Sequence, residues 1–452
     1  MNTDQILTYI KENNIQKIKF AFADIDGVLR GKMIHPKKFT EGLQDGYGFC
    51  DVVFGWDVND AAYDNVKLTG WHSGYPDKDC RIDLSTLRNI PWQDNIPFFL
   101  ADFSKPDGND LPACPRSLLK HIVKQCSEMG FHAEFAQEFE WFNFKETPQS
   151  LQDKNFTNLE PLTPGMFGYS ILRTSQQSAF YNDLFDLLTQ FNIPIEGLHT
   201  ETGPGVYEAA IIHDETLAAA DKAVLFKTAV KEIASKHGIT ATFMAKWNAD
   251  LPGCSGHIHQ SLWDKEKKNN LFYNPEDEHN MSDLLKHYLA GQLYCFPHLL
   301  PMYAPTINSY KRLVEGAWAP TTITWGIDNR TTAIRILNSN EKYTRLETRI
   351  PGSDTNPYLA IAASLASGLY GIKNKLPLNI SATEGNGYQD TRNGKLHSNL
   401  FDSSIAMKTS PIAQELFGAG FVDHFTNTRL WEHRQFAKSV SDWELKRYFE
   451  VI

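Results

Sequence analysis

The chain has 452 residues, of which 42% are hydrophobic and 22% charged, an ordinary globular usage that excludes wholesale disorder. Its 44 Lys and Arg stand against 54 Asp and Glu, giving a formal net charge of −10. This balance argues against a general binder of nucleic acid or of an anionic membrane surface, which needs a basic face. It leaves room for a local arginine cluster that binds an anion.

Residues 3 to 14 read as a short helix. The runs IKFAFADID and VLRGKMI, between Ile18 and Ile34, read as two strands of a hairpin around Asp26-Gly27. Gly42 to Pro91 is rich in Gly, Asp, Trp and Tyr and reads as short strands with long loops. FFLADFSKPDGNDLPACPR adds a strand and a turn-rich linker, with a domain boundary near residue 106. Pro115 to Met129 is a predicted helix, with Pro115 suited to its first turn. HAEFAQEFEWFNF alternates as a strand. Helices are predicted over Gln177 to Phe191, Glu215 to His237, Ser282 to Phe296 and Pro357 to Ile372, and strands at HIHQSLW and AIRI. The tail from Phe421 to Phe449 is predicted helical.

The expected class is therefore α+β, with a small domain over 1–105 and a large one over 106–452. The six cysteines, Cys50, Cys80, Cys114, Cys126, Cys254 and Cys295, form no CxxC pair, so reduced and mostly buried thiols of a cytoplasmic protein are expected. MNTDQILTYIKENNIQKIKF lacks the apolar core of a signal peptide, and no apolar run approaches the ~18 residues of a membrane span.

Four short patterns carry chemistry. In Gln137-Glu138-Phe139-Glu140-Trp141, residues two apart share a strand face, so Glu138 and Glu140 point together and Phe139 and Trp141 point to the other side. Two such charges at ~4 Å and an effective dielectric of ~20 repel by about 4 kcal/mol. A bound cation relieves that repulsion; a solvated polar strand face is the other reading. Glu201 and Glu208 flank the glycine-rich turn Thr-Gly-Pro-Gly-Val-Tyr. His257 and His259 share a strand face after Gly253-Cys-Ser-Gly. Arg345, Glu347 and Arg349 repeat the same spacing.

Five carboxylates converging without counter-charge would be hard to fold. Oxygen-rich sites of this kind favour Mg²⁺ or Mn²⁺ over a Cys- and His-rich zinc site. Arg312, Arg330, Arg335, Lys342, Arg345 and Arg349 fall within 38 residues, and the arginine fork suits carboxylate and phosphate. Metals with arginines point to phosphoryl chemistry, although no GxxxxGK[ST] loop is present and the GPG at Gly203 to Gly205 is too short for a dinucleotide fingerprint.

The segments APTINSYKRLV, NRTTAIRI, RLETRIPGSDTNPYLAIAASLASGL, HIHQSL and the EFE strand closely resemble the glutamine synthetase superfamily, in order along essentially the whole chain. The resemblance implies an N-terminal β-grasp domain and a large catalytic domain with a curved antiparallel sheet and flanking helices. It implies ATP-dependent phosphorylation of glutamate's side-chain carboxylate, then displacement of phosphate by an amine. It assigns Glu140, Glu201 and Glu208 to one divalent ion and Glu138, His257 and Glu347 to a second, with two to three Mg²⁺ or Mn²⁺ per site. It gives Arg312 and Arg349 to glutamate and the transferred phosphate, with Gly253 on the glutamate side. Arg330 and Arg335 become ATP phosphate contacts, Ser261, Lys342 and Arg345 nucleotide-side residues, and His259 a neighbour of the nucleotide or part of the sheet. It further implies a ring, a dodecamer of two hexamers, with sites shared between subunits.

Where ammonia-using members read RLVPGYEAP, this chain reads RLVEGAWAP, so Trp318 stands in place of the glutamate that deprotonates ammonium. An indole N–H only donates and cannot act as a base. An aromatic ring suits an organic amine, through apolar contact or cation–π attraction. Glu315 is three residues away, at another place in the motif. Pro252 replaces an asparagine that helps bind glutamate. The aspartate of the family's ammonium site has no clear counterpart; Asp57 in FGWDVND is a plausible substitute, acting in trans. The expected activity is that of a γ-glutamyl-amide ligase, as in the γ-glutamylpolyamine and γ-glutamyl-alkylamide synthetases. Glutamine synthetase using ammonia and an inactive scaffold are the alternatives.

Overall fold

The computed structural model describes residues 2–104 and 111–452. The boundary expected at 105/106 lies outside the described residues. Five strands form a first sheet: β1 (Ile18–Ala23), β2 (Leu29–Ile34), β3 (Tyr47–Cys50), β4 (Asp77–Ile90) and β5 (Ile96–Ser104), in the order β2-β1-β5-β4-β3. Among the described residues of this sheet only β1 and β5 run parallel. The sequence IKFAFA is buried along nearly its whole length because both faces of β1 are covered. Ile18, Phe20 and Phe22 enter a core of aromatic rings with Phe39, Phe49, Phe99 and Phe103. Phe22 meets Phe49 and Phe103 edge-on, with centroids 4.9 and 4.6 Å away. Ala21 and Ala23, on the other face, are small enough to let the sheet approach the larger core.

The Asp-Gly hairpin forms as expected, with a five-residue loop in place of a two-residue turn. Asp24 Oδ1 accepts the N–H groups of Asp26 and Val28, and Gly27 takes φ +80°. Asn356 anchors this loop to the rest of the chain, donating its side-chain N–H to the carbonyls of Asp24 and Ile25.

Nine strands form the second sheet: β6 (His132–Phe144), β7 (Ile195–Thr200), β8 (Val206–Ile211), β9 (Asp214–Glu215), β10 (Thr240–Thr242), β11 (Ile258–Trp263), β12 (Trp325–Ile327), β13 (Ile334–Leu337) and β14 (Arg345–Thr348). The path is β12-β13-β14-β11-β6-β8-β7, with β9 and β10 also on β6. Every pairing is antiparallel except β12 with β13. Helices Pro115–Glu128, Thr216–Lys236, Asp283–Tyr303 and Pro357–Lys373 supply much of the core beside the sheet. The last is buried almost all round, which is why its sequence is apolar on every side.

Three expectations are corrected. The stretch from Gly42 to Pro91 contains the 14-residue β4. A register shift between Asp83 and Arg88 breaks its alternation and hides it from periodicity. The helix expected to end at Phe296 continues to Tyr303 through Pro297 and Pro301, because Leu299, Leu300, Met302 and Tyr303 are buried and their packing outweighs the lost hydrogen bonds. The tail is two helices, Pro411–Phe436 and Asp442–Tyr448, the first kinked at Gly418. All six cysteines are free, five of them buried. Among the described residues no helix is long and apolar enough to cross a membrane.

Candidate active site

β6 keeps the predicted alternation. Phe135, Phe139 and Trp141 are buried in the core, while Glu134, Glu138 and Glu140 lie on the opposite face. The registers then bring acids from other strands onto that face. Glu140 is directly opposite Glu208, which is directly opposite His199. On the other edge of β6, β11 pairs His259 with Glu347 of β14, and Glu347 pairs with Arg335 of β13. The segment before β11 stays zipped to β6: Glu138 N–H donates to His257 O at 3.1 Å and Glu140 N–H to Ser255 O at 3.0 Å. The glycine-rich turn joins β7 to β8 and brings Glu201 beside Glu208. Gly205 has φ +73°, and a Cβ there would lie 2.6 Å from Asn143 O. Only glycine fits this corner.

Two sets of donors gather. Glu138, His259 and Glu347 offer one ligand atom each within 4.8 Å of one another, and so do His199, Glu201 and Glu208. His257 sits between the acids of the first set, its Nδ1 at 2.8 Å from Glu138 Oε1 and 3.3 Å from Glu347 Oε1. Its Nε2 is buried without a hydrogen-bond partner among the described residues. Glu140 turns one oxygen to the Ser255 N–H at 2.8 Å. The electrostatics are those of a site built for positive charge. Burial, and then the charges of Glu138, Glu140, Glu201 and Glu347, push the Glu208 carboxyl up to about 10. Burial acts the same way on Glu347, but Arg349, His257 and His259 outweigh it and hold that carboxyl at about 2. The carboxylate oxygens, the imidazoles and the orphaned Nε2 fit a divalent ion.

The cationic residues are divided between this site and its margin. Arg335 Nη1 lies 2.9 Å from Glu347 Oε2, and Arg349 pairs with the other oxygen of the same carboxylate. Arg335 also binds Asp328, at 2.6 Å from its Nη2. Arg349 Nε donates to the carbonyl of Arg330, whose own side chain is exposed. Arg345 Nε lies 3.2 Å from His259 Nδ1. Arg312 is buried and donates to the carbonyls of Ile350 and Arg349. Gly253 is required beside it, since a Cβ there would lie 2.9 Å from Arg312 Cγ and 2.5 Å from Ala245 O. Pro252 adjoins this contact. Ser261 accepts a hydrogen bond from Trp263 Nε1, opposite Glu134. Lys342 is exposed, its ammonium over the Tyr343 ring.

Trp318 stands on a loop six residues past Arg312, with φ +57° and a side chain 61% exposed. Glu315 on the same loop is exposed. Asp57 is elsewhere in the chain: its Oδ1 accepts the N–H groups of Asn59 and Ala61, and its Oδ2 the indole N–H of Trp431 at 3.1 Å. Within one chain its bonding partners lie outside the acid-lined sheet. Sequence reasoning missed His199 and Asp328. His199 is two residues before Glu201, the same spacing that pointed to Glu138 and Glu140.

A sheet face lined by acids and histidines and bordered by buried arginines suits divalent cations and anionic phosphate or carboxylate groups. The sequence pattern described as "Glutamine synthetase, catalytic domain" matches residues 112–448, and the chain belongs to that family. It is 54% identical to type-1 glutamine synthetase 2 of Dictyostelium discoideum over 99% of this chain and 86% of that one. It is 38% identical to glutamate–isopropylamine ligase of a Pseudomonas species over 100% of this chain and 99% of that one. A solved structure described as a GmaS/ADP complex superposes with a TM-score of 0.85 at 26% identity, over 98% of this chain and 99% of that one. The fold is that of glutamine synthetase, and the chain is a ligase of this family.

Proposed function

We propose that this ligase joins the γ-carboxylate of glutamate to an organic amine, using ATP. The observation that carries the choice of amine is Trp318, an exposed indole on the loop that follows the buried Arg312. Its N–H donates only, and its face offers apolar contact and cation–π attraction to an alkylammonium. The relative that acts on isopropylamine supports this reading.

In the reaction, an oxygen of the γ-carboxylate forms a bond to the γ-phosphorus of ATP, and the bond to ADP breaks. The alkylammonium loses one proton to give the free amine, whose nitrogen attacks the γ-carbonyl carbon; inorganic phosphate leaves, the nitrogen loses a second proton, and both protons pass to solvent. Glu140, Glu201 and Glu208 would hold one divalent ion and Glu138, His257 and Glu347 another, two to three ions per site, with Mg²⁺ or Mn²⁺ as the metals. When bound, such ions neutralise charge on the transferring phosphoryl group. Arg312, Arg349 and Gly253 orient glutamate; Arg330 and Arg335 meet the phosphates; Ser261, Lys342 and Arg345 lie on the nucleotide side.

The division at 105/106 belongs to the same proposal, supported by the separate aromatic core of the first sheet and by a family match that starts at residue 112. So does a dodecameric ring in which Asp57 serves a neighbouring subunit's amine site. Light scattering of the purified chain tests the ring, and a fully active monomer overturns it.

Ammonia is the second reading, favoured by the relative named as a glutamine synthetase. Phosphate release with glutamate, ATP and Mg²⁺ across a panel of amines separates the two. An alkyl, hydroxyalkyl or polyamine substrate should exceed ammonia in kcat/KM. Ammonia outperforming every organic amine returns the chain to the second reading, and no turnover with any of them overturns both.

A further inference from the structure

His199 is the residue in this sheet that neither the family resemblance nor the pattern of acids accounts for. It lies on β7, opposite Glu208. Its Nε2 is 3.5 Å from Glu201 Oε1 and 3.8 Å from Glu208 Oε2. Both distances exceed a good hydrogen bond, and the buried Nε2 has no hydrogen-bond partner among the described residues. A ring nitrogen kept out of water and aimed between two carboxylates, with only long contacts to each, has the arrangement of a ligand atom. The three donors lie within 4.8 Å of one another.

A second observation concerns the ring plane. Tyr169 stacks on His199 with centroids 4.5 Å apart and planes 9° from parallel. Tyr169 comes from a separate segment, tied to the end of β7 by its own N–H to Thr200 O and by the Ser170 N–H to Thr200 Oγ1. It does so at φ +56° with 71% of its side chain exposed. A bulky residue in the left-handed region is disfavoured, and an aromatic ring left in water gains little from burial. The stack that holds the imidazole face is what this conformation secures.

We infer that His199 is a nitrogen ligand of the ion held by Glu201 and Glu208, and that Tyr169 is a positioning residue that fixes its ring. The inference rests on the reading that these two glutamates hold a divalent ion. A nitrogen donor also shifts the site from Mg²⁺ toward softer ions, because imidazole discriminates against magnesium more than carboxylate does.

The test uses Mn²⁺ as the probe on the full chain without nucleotide. Free Mn²⁺ is counted by electron paramagnetic resonance, and coordinated ¹⁴N by pulsed measurements on the same samples. His199→Ala and His199→Asn should each weaken one class of Mn²⁺ site by about 10–100-fold, the scale seen when a metal's supporting shell is disturbed. They should also remove one nitrogen coupling and let Mg²⁺ compete better for that site. Tyr169→Leu should weaken Mn²⁺ in the same class, while Tyr169→Phe, which keeps the stacked ring, retains the affinity. Thermal unfolding without metal identifies any variant that fails to fold, and the affinity of the other class of site is an internal control. Unchanged Mn²⁺ affinity and nitrogen coupling in both His199 variants overturn the inference alone. A wild-type chain whose Mn²⁺ binding is unaffected by Glu201→Gln and Glu208→Gln overturns the underlying reading, and the inference with it.

Discussion

Arg116 grips Asp221 with both arms of its guanidinium: Nε donates to Oδ1 and Nη2 to Oδ2, each at 2.8 Å. The remaining nitrogen, Nη1, lies 2.9 Å from both Asp83 on β4 and Asp102 on β5. One buried side chain on the helix Pro115–Glu128 thus joins the first sheet to the helix Thr216–Lys236. Removing it takes the guanidinium from the buried Asp221, which keeps the Tyr358 O–H, while Asp83 and Asp102 keep Lys120. Arg116→Ala should destabilise the chain by about 3–5 kcal/mol, the cost of breaking a buried pair from one side. Denaturant unfolding measures this, and Arg116→Lys should recover only part of it because a point charge cannot replace the fork.

His424 gives stability a pH dependence. The residue is 1% exposed on the helix Pro411–Phe436, and burial pushes its imidazole down to about 4, with Asp423 and Arg429 acting beside it in opposite senses. The unfolded chain takes up the proton first, near 6.5. Stability is therefore complete above pH 6.5 and falls as pH drops toward 4, by up to about 3 kcal/mol in total. Comparing unfolding of the wild type and His424→Leu between pH 7.5 and 4.5 should give a difference that changes with pH in this window. A constant difference contradicts the assignment.

Trp318→Glu places a carboxylate where the indole stands. If the ring receives the alkyl part of the amine, kcat/KM for the preferred organic amine should fall by about 10–100-fold, as expected for the loss of 1–3 kcal/mol of apolar contact. The ratio of ammonia to amine turnover should rise. Trp318→Phe should keep most of the amine activity.

Gly253→Ala tests the glutamate side. Its Cβ would lie 2.9 Å from Arg312 Cγ and 2.5 Å from Ala245 O, so Arg312 must shift. KM for glutamate should rise by about tenfold or more, consistent with at least 1.4 kcal/mol of lost orientation. KM for ATP should change little. An equal rise in both constants would mean that the substitution disturbs the sheet as a whole.

Glu347→Ala removes the carboxylate shared by Arg335 and Arg349. Two buried guanidinium groups then lose their shared carboxylate, Arg335 keeping Asp328 and Arg349 the Arg330 carbonyl, and the donor set with Glu138 and His259 loses a member. Mn²⁺ affinity should fall by at least about tenfold, and the fall should be larger than in Glu347→Gln, which still offers an oxygen. Calorimetric titration of the metal distinguishes these outcomes.

Local pattern made part of this site legible. Strand alternation placed Glu138 and Glu140 on one face and Phe139 and Trp141 on the other, because a strand's side chains can only alternate. The Asp26-Gly27 hairpin and the glycine corner between Glu201 and Glu208 were readable for a similar reason: few residues tolerate a positive φ or a close backbone approach. β4 was not readable, since its register shift interrupts the period that would reveal it. The extension of the helix to Tyr303 was missed because two prolines argue locally for an end, and only the packed core outweighs them.

The sequence by itself determined which residues share a strand face and, through several ordered motifs, the family and its ligase chemistry. The tertiary structure decided which faces meet. His259 of β11 pairs with Glu347 of β14, His199 stacks on Tyr169, thirty positions earlier in the chain, and Asp57 bonds to Trp431 on the helix Pro411–Phe436. Alternation is a property of one strand, set by its own backbone. Register between strands far apart in sequence is set by the core that packs beneath them, and no period within either strand encodes it.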